Sequence, residues 1–192
     1  MAKPPFILLL VIGALFVATR SPAQTTNLPP ATTLEAVETS PNQLVLKGSF
    51  LMGSVAVQQA TITLVCKEDA IINPSDNTRV KWYGCSFGIK VNNQTLGRTL
   101  IDYDEMDSLL KAVEYMKNVT WSVTPLPSFD LVYTTKAGLR FSVFSDNRES
   151  RIQFLMRNNY MDKRIFLTSD QIAQLYSLLQ QTKAKLDDLR KS

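Results

Sequence analysis

The chain has no histidine in 192 residues, only two cysteines, and seven dispersed glycines. Without histidine, Ser–His and Cys–His nucleophile pairs, imidazole acid–base catalysis and the usual zinc ligand sets are closed to it. No glycine falls into a GxGxxG or GxxxxGK pattern, so no phosphate-cradling loop is present. Cys66 and Cys85 lack Cys-x-x-Cys spacing, which argues against a catalytic thiol pair. Charge of either sign is modest, with 21 Lys and Arg against 17 Asp and Glu. The uninterrupted apolar run Phe6–Ala18 is 13 residues long, short of the ~20 that a bilayer-crossing helix needs.

That run follows Lys3 and precedes Ser21-Pro22-Ala23, whose small residues suit a signal peptidase. Residues 1–23 are therefore expected to be a signal peptide, and the protein to be exported, periplasmic or secreted, with no transmembrane anchor after cleavage. Losing them removes Lys3 and Arg20 but no carboxylate, leaving 19 basic and 17 acidic side chains. So even a balance does not by itself call for a polyanion partner. Residues 24–42, rich in Thr and Pro, read as a flexible lead-in. Residues 43–192 are long enough for a single domain with a sizeable core.

Within that domain a pattern recurs at an offset of 66 residues: TLIDYDEMDSLLKAV at Thr99–Val113 and IFLTSDQIAQLYSLL at Ile165–Leu179. Leu100 aligns with Phe166, Ile101 with Leu167, Met106 with Ile172, Leu109 with Leu175 and Val113 with Leu179. The first half, about 43–118, gives strands at Leu44–Gly48, Val55–Cys66, Val80–Val91 and Arg98–Ile101, then a helix at Tyr103–Lys117. The second, about 128–190, gives strands at Phe129–Thr135, Leu139–Phe144, Arg151–Met156 and Arg164–Leu167, then a helix at Ser169–Leu189. Half-buried strands and two amphipathic helices predict an α+β fold: a two-layer sandwich of one antiparallel sheet with both helices on one face, built as a pseudo-repeat of four strands plus helix.

Cys66 and Cys85 flank the turn cluster Asn73-Pro74-Ser75-Asp76-Asn77 symmetrically, so a hairpin would set them face to face. In an exported protein a Cys66–Cys85 disulfide is then expected, worth ~3 kcal/mol by loop entropy. Asp102, Asp104, Glu105 and Asp107 open a helix. Carboxylates there cap free N–H groups, and Asp102 with Glu105 has capping-box spacing, matched by Thr168 with Gln171. Oxygen ligands at this density also suit a divalent metal.

Strand parity places Arg140 and Phe144 opposite the inward Leu139, Phe141 and Val143. It places Arg151, Leu155 and Arg157 opposite Ile152, Phe154 and Met156, and Trp82 and Lys90 opposite Cys85. The candidate ligand-binding residues are thus Trp82, Lys90, Arg140, Phe144, Arg151 and Arg157, on a helix-free sheet face suited to an anionic polymer, an envelope protein or self-association.

The segments IDYDEMDSLLKAVEYM (Ile101–Met116), YTTKAGL (Tyr133–Leu139) and IFLTSDQIAQLYSLLQQTKAKLDDL (Ile165–Leu189) resemble a group of exported bacterial proteins with no assigned activity. The resemblance implies export and brings no active-site residues. The order of elements also resembles the PUR and Whirly single-stranded nucleic-acid-binding folds in topology alone, and the leader argues against a nucleic-acid partner. The leading expectation is a non-enzymatic binding module without cofactor. The alternatives are a nucleic-acid-binding module and a metal-dependent enzyme using Asp102–Asp107.

Overall fold

The computed structural model describes residues 29–58, 60–92, 94–146, 151–158 and 164–191. The expected signal peptide, residues 1–23, lies outside the described residues. The order is α1 (Thr33–Glu38), β1 (Leu44–Val57), β2 (Ala60–Ile72), β3 (Arg79–Val91), β4 (Gln94–Asp102), α2 (Met106–Lys117), β5 (Asp130–Thr134), β6 (Leu139–Asp146), β7 (Arg151–Asn158), β8 (Ile165–Leu167) and α3 (Ser169–Lys191). Short 3-10 turns at Tyr103–Glu105 and Trp121–Val123 flank α2. The fold is an α+β sandwich in which four strands and a helix occur twice.

One expectation needs correction. The strands form two antiparallel sheets, β1-β2-β3-β4 (sheet A) and β5-β6-β7-β8 (sheet B), rather than one. β8 approaches β1 but is only three residues long. The Ala56 carbonyl of β1 accepts instead from Gln171 Nε2 at the start of α3, 2.9 Å away. Too little strand is left to carry the ladder from one sheet to the other.

The inner faces of the sheets share one core. Val55, Ile62, Leu64, Phe87, Ile89 and Ile101 from sheet A are buried with Leu139, Phe141, Val143, Phe154 and Met156 from sheet B. Phe87 on β3 meets Phe141 on β6 edge to face, with ring centroids 6.1 Å apart. The apolar stripes of the helices close this core: Met106, Leu109, Val113 and Met116 on α2, and Ile172, Leu175, Leu179 and Leu186 on α3. The helices are exchanged between halves. α2 leans on β5 and β6, whereas α3 lies across β1, β2 and β3, and the two helices touch each other.

Near the C-terminus of α3, Lys183 Nζ lies 2.7 Å from Asp187 and 3.4 Å from Asp107 of α2. Asp187 also accepts from the Tyr103 hydroxyl, and Arg190 stacks over the Tyr103 ring at 4.0 Å. These contacts fix the end of α3 against the start of α2. Among the described residues no helix is long and apolar enough to cross a membrane.

Two local departures from the sequence reading have clear causes. Val55–Cys66 reads as one strand, but the chain reverses after Val57, pairing Val57 with Ala60. Gln58 adopts φ +45 there, and no Gly, Asn or Pro marks the turn. The lead-in contains α1, a six-residue helix whose Leu34 and Val37 are buried. Thr32 caps it, its hydroxyl accepting from Glu35 N at 3.1 Å.

Candidate functional site

The outer face of sheet A is partly covered, and the cover is α1. Leu34 packs so closely on β3 that a Cβ on Gly84 would lie 2.6 Å from Leu34 Cδ1 and 2.2 Å from the Ile101 carbonyl oxygen. Only glycine admits the helix at this distance. Asp102 at the end of β4 holds the N-terminus of α1, accepting from Thr33 N at 2.7 Å and Leu34 N at 3.0 Å. At the other end Glu38 receives Lys67 Nζ at 3.1 Å and pairs with Arg98. Lys67 also reaches Asp69, itself fully buried, at 3.2 Å. Burial alone would raise Glu38, but Lys67 and Arg98 outweigh it and hold the carboxyl below its ordinary range. Burial dominates at Asp69 and pushes it up, Lys67 opposing and Glu38 adding to the rise. This network ties the C-terminal end of α1 to β2 and β4.

The expected capping role of Asp102 is therefore redirected. Asp102 makes no side-chain bond to the helix that follows it and caps α1 instead. Glu105 is also diverted: its Oε1 accepts from Lys136 N at 2.7 Å, fastening the turn between β5 and β6. Asp104 binds Lys136 Nζ at 2.8 Å, and Asp107 faces Lys183. Asp102 also lies 4.0 Å from Lys136 Nζ, so three of the four carboxylates border Lys136 and the fourth turns to Lys183. Among the described residues no group of three His, Cys, Asp or Glu side chains could hold a metal ion. At the repeat-related position the capping box forms as expected: Thr168 Oγ1 accepts from Gln171 N at 3.2 Å, and Gln171 Oε1 accepts from Thr168 N at 2.9 Å.

The expected disulfide is not formed in this structure. Cys66 and Cys85 are direct partners across β2 and β3, as the hairpin symmetry predicts, but both are free thiols. Cys66 Sγ turns to the Thr182 carbonyl of α3 at 3.7 Å, and Cys85 Sγ to Met106 Sδ of α2 at 3.5 Å. Each thiol is drawn to a different helix in the core.

The outer face of sheet B has no helix on it among the described residues. The repeat makes the contrast explicit: Leu100 lies on the outer face of sheet A, near α1, and is 7% exposed, whereas its counterpart Phe166 on sheet B is 41% exposed. Arg140 on β6 stands directly opposite Arg157 on β7. No carboxylate among the described residues pairs with either guanidinium, and the buried Arg140 Nε has no hydrogen-bond partner. Ser142 pairs with Leu155, Leu155 with Phe166, and Phe144 with Gln153, so an apolar strip of Phe144, Leu155, Phe166 and Val132 borders the arginine pair. Arg151 is the register partner of residue 146 at the end of the ladder. Beside the strip, a groove of about 490 Å³ is lined by Arg151, Gln153, Phe166, Thr168 and Gln171.

The six candidate residues thus fall into two groups. Arg140, Phe144, Arg151 and Arg157 share the outer face of sheet B. Trp82 and Lys90 lie on the outer face of sheet A, opposite Asp69 and Thr61, where Lys90 borders a hollow of about 650 Å³ with Ser54, Ala56, Thr61 and Thr63. Because the inner faces look toward each other across the core, these outer faces point apart and do not make one surface. Phe166 and Val132 were not among the candidates. The repeat held a signal for Phe166, which aligns with Leu100 in β4 while standing on the sheet without a covering helix.

No protein-family model, curated protein or solved structure matches this chain.

Proposed function

We propose that this is an exported, non-enzymatic binding module that takes an anionic partner on the open face of sheet B. The reading is carried by the cross-strand pair Arg140 and Arg157, which places like charges side by side without a carboxylate of the described chain between them. Directly opposed like charges destabilise a sheet. An incoming carboxylate, sulfate or phosphate would relieve that cost and could be held by both guanidiniums in bidentate fashion. The adjoining Phe144, Leu155 and Phe166 would give the carrier of that charge an apolar surface to lie on. Such a flat, shallow face suits an acidic polymer or an acidic stretch of an envelope protein better than a small molecule, which would want a deeper concavity. An envelope location rests on the apolar leader pattern of residues 1–23.

Titration with polyglutamate, a sulfated polysaccharide and a single-stranded oligonucleotide at two salt concentrations tests this. Arg140→Ala and Arg157→Ala should each weaken binding of the preferred polyanion about tenfold, while Lys90→Ala on sheet A leaves it unchanged. Equal loss from Lys90→Ala, or none from the arginine variants, would remove the site. Oligonucleotide preferred over both acidic polymers would favour the nucleic-acid reading instead.

A further inference from the structure

β1 is an edge strand of 14 residues that pairs with β2 alone. Its two halves differ. From Gly53 onward the chain closes over it: the register shifts between Leu51 and Gly53, Leu178 of α3 packs within 3.1 Å of where a Gly53 Cβ would sit, and Gln171 takes the Ala56 carbonyl. The first half, Leu44–Leu51, has less cover among the described residues: Lys185 of α3 reaches over the Phe50 ring at 5.4 Å, but no strand pairs with its outer edge. Leu44 is 55% exposed, Leu46 43%, Phe50 55% and Leu51 63%. A long edge rich in exposed apolar residues, with no strand beside it among the described residues, invites another strand.

The residue order says which strand. Val45-Leu46-Lys47-Gly48-Ser49-Phe50-Leu51 is a hydropathy palindrome about Gly48. We infer that two copies of the chain pair antiparallel through this segment, on a twofold axis at Gly48, to form a continuous eight-stranded sheet. In this register Leu46 lies opposite Phe50 of the second copy and Val45 opposite Leu51, twice each, while Lys47 lies opposite Ser49 and the two lysines stay apart. Side-chain parity is kept: Leu46 and Phe50 share the Cys66 side of the sheet, Val45 and Leu51 the other. A neighbouring register centred on Lys47 would set the two lysines against each other. Lysine commonly guards an edge by projecting past it, but here Lys47 Nζ is drawn 3.2 Å from the Glu38 carbonyl of α1, leaving the backbone edge open. The pairing is independent of the sheet B surface, which each copy would keep.

Sedimentation equilibrium of the chain at tens of micromolar tests the inference, with circular dichroism and melting curves to verify folding of each variant. The wild type should be dimeric. Leu46→Lys and Phe50→Glu, both at exposed positions, should each raise the dimer dissociation constant about tenfold or more with the melting profile of the subunit retained. The double variant should recover dimer, because each introduced cation then meets an introduced anion across the twofold. A monomeric wild type overturns the inference. A dimer indifferent to both single changes assigns association to another surface and also overturns it. Single variants that dissociate while the double variant stays monomeric overturn the Gly48-centred register.

Discussion

Cys66 and Cys85 are cross-strand partners, yet their sulfurs diverge, one toward α3 and the other toward α2. Burial pushes the Cys66 thiol up to about 11, slightly offset by Lys185, and pushes Cys85 further in the same direction. Both are therefore neutral and shielded at physiological pH, and poor nucleophiles. A thiol reagent should find neither group in the native protein and both in denaturant. Native reaction at either site, or an intact mass two hydrogen atoms lighter than the reduced chain, would contradict this geometry.

α1 should contribute measurably to stability despite its six residues. Leu34→Ala is expected to cost about 2–5 kcal/mol, as for other fully buried leucines. Asp102→Ala removes the acceptor for two backbone N–H groups and should cost about 1–2 kcal/mol. Because both changes release the same helix, the double variant should lose less than their sum in urea unfolding. Full additivity would mean that Asp102 and Leu34 act separately.

Glu105 sets a pH dependence whose sign can be worked out. Its carboxyl is raised above the ordinary 4.5, chiefly by burial, with the Lys136 N–H and ammonium opposing and Asp102 and Asp104 assisting. The native state then keeps a proton that the unfolded chain has already released. The favourable contribution is complete below pH 4.5 and is lost as pH climbs through the raised native value, by at most about 1.4 kcal/mol per pH unit for one group. Asp69, also raised, acts in the same direction. Glu38, held below 4.5, acts oppositely: its contribution is lost as pH falls below that value. Stability should peak on the acid side of neutrality. Glu105→Gln keeps an acceptor for Lys136 N and should flatten the decline toward neutral pH in urea titrations; an unchanged decline would show that the Glu105 charge is solvated.

Arg140 and Arg157 give the functional prediction a stability counterpart. Removing one of two opposed cations should raise the melting temperature slightly in low salt, and the gain should vanish as salt screens the pair. The same change should weaken polyanion binding. A variant that loses stability in low salt would show that its guanidinium is bound within the chain.

Period and parity carried most of the architecture. The repeat placed both long helices, and the stripes Met106–Met116 and Ile172–Leu186 point into the core as their spacing requires. The hairpin symmetry put Cys66 opposite Cys85, and the inward and outward residues of β6 and β7 follow the alternation. Other features depended on partners distant in sequence. Asp102 has the spacing of a box with Glu105, but the acceptor was taken by a helix 68 residues earlier. The division into two sheets turns on β8 being three residues long, which periodicity does not measure. α1 was hidden because a short helix needs tertiary burial to exist, and Thr-Pro composition signals a linker. The Glu38–Lys67–Asp69–Arg98 network had only one local hint, a Lys-x-Asp pair on one side of a strand. The two groups of candidate ligand residues separated because parity assigns a side within a sheet and says nothing of how sheets face.

The exchange of α2 and α3 between the halves bears on how the molecule can assemble. A ribosome delivers β1 through β4 long before the rod destined to lie across them, since α3 occupies the final stretch of the described chain. Ile62, Leu64 and Cys66 must wait uncovered until that last segment arrives. The interior of sheet A is thus closed by a helix that belongs to the other half of the chain, so the two halves complete each other.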